Sequence, residues 1–427
     1  MNSGLMFNSV LKQVGQVVIL LVVIALVLLG VSNPIFSYAA LGISALCIVA
    51  FKPEESMCFM MFIVPFANIF KAGVQSTSFF TYLTLLLAIK LLFGKRNFSS
   101  VFVVIWIAMF IYQAVGCDMQ VTVLIKQAAI LLIVYGYFNF CKVDPKALTM
   151  SFTAGLILSC IVAVNSDLIP GLSMFMQIIK TFELEVNVIR FTGLYVDPNF
   201  LTLASVMSMS SILVLVKEKR MSKYAMIPCL IVTYFGLMTS SKSFFLMLAI
   251  IAVLYIVHSF KNKDYFAAVC GIVIIAVVVV LTINGTIGLF ANFMARLRYS
   301  DDITTGRTDI WLRYIKHILD SPLNLIFGFG IAAPILRKAA HSTYIDFIYF
   351  YGLVGSALFI SGIVVSMSKK RITYRISNIA VFVCFAFLLT SLSYLQIYDF
   401  TFMLILALSF LVKPAKDVDE LAEGLTL

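Results

Sequence analysis

Three cations and one histidine are the residues of this 427-residue chain best suited to chemistry on an anionic group: Arg190, Lys242, Arg307 and His341. Arginine and lysine hold phosphate through charge-assisted hydrogen bonds, and a histidine that titrates near neutrality can take the proton of an attacking hydroxyl. The stretch from Asn284 to Thr343 is the one long run that is both polar and basic. It holds Arg296, Arg298, Arg307, Arg313, Lys316, Arg337 and Lys338, and it leads into His341 near its end. The natural partner of such a cluster at a bilayer surface is a phosphate.

Each candidate has a plainer reading beside it. Arg190 opens the run Arg190-Phe191-Thr192-Gly193-Leu194-Tyr195-Val196-Asp197-Pro198-Asn199 and serves either as a phosphate contact or as a snorkelling surface cation. Asp197 before Pro198 has the form of a helix start, with a catalytic acid as the alternative. Lys242 lies in the tight turn Thr239-Ser240-Ser241-Lys242-Ser243, where it snorkels or meets an anion. Arg307 precedes an amphipathic helix over 309–320. There Ile310, Trp311, Leu312, Tyr314, Ile315, Ile318 and Leu319 are expected on one side, and Arg313, Lys316, His317 and Asp320 on the other. Such a helix lies in the membrane interface with its cations toward headgroups, while Arg307 at its N-terminus is better placed for a specific anion. His341 comes just before Ser342-Thr343-Tyr344 and a long apolar run, so it acts as a general base or caps a helix; the helix dipole there disfavours the imidazolium. Gly328-Phe329-Gly330 is a flexible turn or a weak phosphate loop.

The elements that must position these residues are membrane helices. The chain is 62% hydrophobic and only 12% charged, with a mean hydropathy of +1.05. Apolar runs recur from end to end without the alternation of barrel strands, so the fold class is all-α and polytopic, one integral membrane domain over 1–427. About fourteen spans are predicted (twelve to fourteen), each able to cross a ~30 Å hydrocarbon core. They fall at 14–31, 35–51, 57–70, 79–93, 101–116, 121–140, 147–165, 200–216, 225–239, 243–258, 265–283, 344–366, 376–393 and 397–412. The first follows Lys12 without a small-residue cleavage site and is expected to be retained.

Loop charge orients the spans. With a cytoplasmic N-terminus, Lys52-Pro53-Glu54, Gly94-Lys95-Arg96, Lys142 to Lys146, Lys217 to Lys223, Lys261 to Asp264, Lys369 to Arg375 and the tail from Lys413 all fall inside, as the positive-inside rule requires. Two long loops then lie outside, 166–199 and 284–343, and all four candidates share that face. The same rule accounts for much of the net charge of +11, which is therefore no sign of nucleic-acid binding. Eight scattered cysteines without a C-x-x-C pair speak against a disulfide framework or a zinc site.

In this order and loop placement, Arg190…Gly193…Asp197-Pro198-Asn199, Ser241-Lys242, Gly306-Arg307…Trp311…Pro322…Gly328…Gly330 and His341-Ser342…Tyr344 with Gly352 and Gly355 resemble the O-antigen ligase/O-antigen polymerase superfamily. The resemblance covers 190–355; the front half adds only hydropathy. It implies a bacterial inner-membrane glycosyltransferase, both termini cytoplasmic, acting on the outer face. Its substrate would be a glycan on undecaprenyl pyrophosphate, and its partners membrane lipids and a chain-length regulator. It implies that Arg190 and Arg307 hold the pyrophosphate, with Lys242 where the family commonly has arginine, and that His341 activates the acceptor hydroxyl. Lysine lacks the bidentate fork of arginine. Ser342 stands where the family commonly has asparagine.

The leading expectation is a polymerase that joins lipid-linked repeat units into O-antigen, capsular or exopolysaccharide. The alternative within the family is the ligase that transfers finished chain to lipid A-core. A lipid-linked oligosaccharide flippase or other transporter is more distant, because transporters carry ionisable groups at the midplane and this chain keeps its charges at span ends. A purely structural scaffold is more distant still. Metal-dependent membrane glycosyltransferases place acids in the first external loop. Ser32-Asn33-Pro34 has none, and Asp301-Asp302 is read as solvated loop, so neither a metal nor a cofactor is expected.

Single cysteines at 190, 242, 307 and 341, in a chain freed of reactive native thiols, are expected to react with an impermeant thiol reagent in spheroplasts. Labelling of any one only after permeabilisation would overturn the shared outer face.

Overall fold

A computed structural model of the chain describes residues 3–94, 97–115, 121–141, 143–176, 179–183, 186–217, 219–261, 307–330 and 340–367, with isolated positions between them. The spans expected at 265–283, 376–393 and 397–412 lie outside the described residues. So do Arg296, Arg298, Asp301-Asp302, Gly306, Arg337, Lys338, Cys117, Cys270, Cys384 and the tail.

Within the described residues the chain is a helical membrane protein. Helices α1 (Ser3–Gly30), α2 (Pro34–Ala50), α3 (Pro53–Ile63), α4 (Phe79–Phe93), α5 (Ser100–Val115), α6 (Val121–Asn139) and α7 (Pro145–Val164) form the first half. A short antiparallel hairpin, β1 (Ile179–Glu183) and β2 (Val186–Arg190), pairs Ile179 with Arg190 inside the 166–199 loop. Helices α8 (Pro198–Lys217), α9 (Met226–Met238), α10 (Lys242–Lys261), α11 (Arg307–Leu319), α12 (Pro322–Phe327) and α13 (Thr343–Met367) follow. Of these, α7, α8 and residues 343–366 of α13 are long and apolar enough to cross a membrane by themselves, and seven shorter apolar helices accompany them. That set does not establish the expected tally of about fourteen spans.

Helix starts follow from a repeated local signature. Asn33, Asp144, Asp197 and Ser321 each precede a proline, and each side chain accepts the N–H two residues on, at 3.1, 3.1, 2.6 and 3.3 Å. The side chain satisfies an orphan donor, while proline presets φ at a position whose own N–H would go unused. Asp197 is therefore a helix cap.

Two predicted spans depart from simple helices. The stretch expected at 57–70 is the short α3 followed by a 3-10 turn at Val64–Phe66, because Pro65 cannot donate the bond that would continue an α-helix. The run 53–63 is buried over most of its circumference and packs on α7, where Gly155 lets the Phe62 carbonyl approach the helix backbone.

The second departure is in α13, which breaks at Gly352 (φ 60°, ψ −169°). In lipid a broken helix must find other partners for its carbonyls. Here the Phe329 N–H donates to Tyr349 O at 2.8 Å and the Gly330 N–H to Phe350 O at 2.9 Å. The Tyr112 hydroxyl of α5 lies 2.8 Å from Tyr351 O and 2.5 Å from Phe327 O. Gly328-Phe329-Gly330 is thus a turn whose amides serve the broken helix, which removes the phosphate-loop reading.

Gly328 (φ 71°) and Gly352 sit backbone to backbone. A Cβ on Gly328 would lie 2.5 Å from Gly352 N, and one on Gly352 would lie 2.5 Å from Ile326 O. Gly328→Ala and Gly352→Ala are each expected to cost about 3 kcal/mol, from left-handed strain together with overpacking. Gly42→Ala, where nothing lies within 4 Å, is the matched control and should be neutral or slightly stabilising. Thermal unfolding of the three variants in detergent checks this.

Candidate functional site

Contacts at the two ends of the bundle sort the loops. At one end the Lys90 ammonium reaches Ile48 O at 2.5 Å and also Phe51 O, Arg220 pairs with Asp144 at 3.5 Å, and Asn139 Nδ2 donates to Ser366 O at 2.8 Å. At the other end the Ser32 hydroxyl donates to Pro170 O at 2.6 Å, and Asn68 Nδ2 donates to Phe175 O at 3.0 Å and to Leu194 O at 3.1 Å. The first set joins loops expected to be cytoplasmic, the second those expected outside. Since Ser366 belongs to the first end, the N-terminus of α13 belongs to the second, and with it His341. All four candidates therefore share one end.

Arg190 and Lys242 meet at one turn. The Phe191 N–H donates to Met238 O at 3.2 Å, which stitches the end of the hairpin to the end of α9. Arg190 Nε then donates to Thr239 O at 3.1 Å, and an Nη nitrogen reaches Asn199 Oδ1 at 3.5 Å. The same Asn199 oxygen accepts the Ser241 hydroxyl at 3.2 Å, and the Thr239 hydroxyl accepts the Ser241 N–H at 3.2 Å while donating to Gly236 O at 2.7 Å. Thr239, Ser240 and Ser241 are buried, and Lys242 begins α10 directly after them. The Thr239 carbonyl and the Asn199 amide oxygen thus orient the guanidinium at this turn.

Arg307 and His341 are positioned by a second set of elements. Arg307 is the half-buried first residue of α11. Ile310, Tyr314 and Ile318 form the stripe of α11 that is buried, and α11 packs on α13. The apolar side expected of this helix divides: Leu312, Ile315 and Leu319 stay exposed, continuous in chain with exposed Leu323, Ile326 and Phe327 of α12. Exposed Arg313 and Lys316 flank them, as an interfacial helix requires. His317 keeps 41% of its side chain exposed while its ring stacks on Phe329 at 4.7 Å, with Asp320 3.4 Å from Nδ1.

Trp311 carries the link to the histidine. Its indole N–H donates to Ala340 O at 2.9 Å, the residue before His341. His341 itself is exposed and held at φ 50°, a conformation that costs on the order of 1–3 kcal/mol for a residue with a side chain. It persists because Ala340 is pinned on one side and Ser342 and Thr343 are buried on the other. One turn on lies Asp346, 3% exposed and the sole acidic or basic side chain in the buried set of described residues. Burial pushes the Tyr314 phenol up to about 12, with Asp346 adding to the effect, so Tyr314 stays protonated while it accepts the Leu336 N–H at 3.2 Å.

Sequence reading missed Asn199 and Thr239 as the groups that orient Arg190, Trp311 as the anchor of His341, and buried Asp346. The only signal for the first two was their place inside motifs already noted; nothing marked Asp346. Among the described residues no group of three histidine, cysteine or acidic side chains could hold a metal ion.

The family described as O-antigen ligase matches residues 227–360. That range takes in α9 to α12 and most of α13, and so Lys242, Arg307 and His341; Arg190 precedes it. The match supports the O-antigen ligase/polymerase superfamily to which the motifs pointed. No curated protein and no solved structure matches the chain.

Trp311→Phe keeps the ring and removes the donor to Ala340. The lost bond is worth about 1 kcal/mol. The expected outcome is a lower thermal midpoint in detergent and faster amide exchange around His341, because the bond pins the backbone just before it. Wild-type exchange there would contradict this.

Proposed function

We propose that this chain is an inner-membrane polysaccharide polymerase, joining undecaprenyl-pyrophosphate-linked repeat units on the outer face with both termini in the cytoplasm. The observation that carries this reading is the gathering of Arg190, Lys242, Arg307 and His341 at one end of a helical bundle whose matched domain is of the O-antigen ligase type.

The acceptor sugar hydroxyl attacks the anomeric carbon of the donor sugar. The bond from that carbon to the pyrophosphate oxygen breaks, and the electron pair leaves with undecaprenyl pyrophosphate. Negative charge grows on the leaving group as the bond lengthens, so cations aimed at it stabilise the transition state more than the ground state. Arg190, oriented by Thr239 and Asn199, and Arg307, at a helix N-terminus, are suited to this, with Lys242 beside Arg190. His341, exposed ahead of α13, takes the proton of the hydroxyl.

Polymerase leads because Ser342 departs from the asparagine common after the family histidine. The ligase that transfers finished chain to lipid A-core is the second reading, favoured by the description of the matched family.

Arg190→Ala and Arg307→Ala are expected to abolish product while the protein stays in the membrane, and lysine should rescue only in part. A charge-assisted contact of about 1.5–3 kcal/mol sets a floor of roughly tenfold to a hundredfold on the loss. Full activity in both alanine variants would remove the anion site.

Deletion separates the two readings. Loss of a polymerase leaves lipid A-core capped by one repeat unit, or short lipid-linked units in a cell without that lipid. Loss of a ligase leaves long polymer on undecaprenyl pyrophosphate and a bare core. His341→Ala should reproduce whichever phenotype deletion gives.

A further inference from the structure

The loop between Phe66 and Ser78 carries a cation that belongs to none of the motifs above, Lys71. It lies half-buried at the same end of the bundle as Arg190. Its ammonium donates to Val74 O at 2.8 Å, reaches Asn68 Oδ1 at 3.5 Å and lies 5.5 Å from the centre of the Phe175 ring. Asn68 in turn donates through its amide nitrogen to Phe175 O and to Leu194 O. One asparagine thus holds Lys71 with its oxygen and, with its nitrogen, the segment four residues beyond Arg190.

Two further observations bear on what this cation meets. Among the described residues its partners are a carbonyl, an amide oxygen and a ring, none of which carries a negative charge. Burial lowers its pKa from the ordinary lysine value, as happens when an ammonium loses water without gaining an acid. The second is depth. Phe79 donates its N–H to Phe70 O at 2.8 Å, beside Lys71, and Phe79 is flanked by the exposed rings of Tyr38 at 5.1 Å and Tyr82 at 6.2 Å. Exposed tyrosines of this kind collect at the headgroup level of a bilayer, the depth at which lipid phosphates lie.

We propose that Lys71 is a phosphate-binding residue of this face, holding the phosphate group of a lipid. The inference rests on the proposed function in taking that lipid to be the pyrophosphate-linked substrate; a bilayer phospholipid offers the same chemistry.

The test uses full-length protein in phosphatidylcholine nanodiscs, titrated calorimetrically with a short-chain polyprenyl pyrophosphate. Lys71→Gln keeps an N–H donor for Val74 O and removes the charge, and Lys71→Arg keeps the charge. The dissociation constant should rise about tenfold in the glutamine variant and stay near wild type in the arginine variant. If affinity is unchanged but wild type retains phosphatidylglycerol in native mass spectrometry and Lys71→Gln does not, the phosphate is that of a phospholipid. Equal loss in both variants would make the role one of loop structure and overturn the proposal, as would wild-type behaviour of Lys71→Gln in both measurements. Arg190→Ala run in parallel keeps the two readings apart. Wild-type affinity there defeats the proposed function, whereas weak binding there with no Lys71 effect in either measurement defeats this inference alone.

Discussion

The end of the bundle that carries the four candidates depends on the rule that no backbone carbonyl can go unanswered in hydrocarbon. The break in α13 exposes the carbonyls of Tyr349, Phe350 and Tyr351, and each is met from elsewhere: two by the amides of Phe329 and Gly330, one by the Tyr112 hydroxyl. Those bonds fasten the turn after α12 to the membrane core. Through α12 they fix α11, and through the Trp311 indole they fix the backbone that carries His341. A surface histidine is thus set in place by hydrogen bonds made within the bundle.

Arg190 follows a second constraint, the geometry of one polar turn. Its guanidinium donates to the Thr239 carbonyl and the Asn199 amide oxygen, and that turn is built from Thr239 and Ser241, whose own hydroxyls are satisfied within the cluster.

Much of this was legible in the sequence because the signals are local. Asp197-Pro198 read as a helix start, and the amphipathic period of 309–320 read as a surface helix; both report on neighbours within a turn. Loop charge placed the four candidates on one face because it too is counted loop by loop. What the sequence hid is set by contacts between distant segments. Nothing near Tyr112 announces that it serves a helix more than two hundred residues away. Nothing near Lys71 shows that Asn68 ties it to Leu194. The apolar side of α11 divides because part of it meets α13, and the run 57–70 stops short because Pro65 outweighs its hydropathy.

Gly328 and Gly352 carry a consequence for how such a chain can drift. Each occupies the space a side chain on the other would need, and the atoms in the way are backbone nitrogen and carbonyl. Backbone cannot be trimmed by a second mutation, so neither position can compensate for a change at the other. The two are locked as a pair over evolutionary time, while Phe329 beside them, whose ring packs on His317 and Tyr349, can exchange for another aromatic without touching that lock. Lineages descending from this chain would keep both glycines or lose the broken helix altogether.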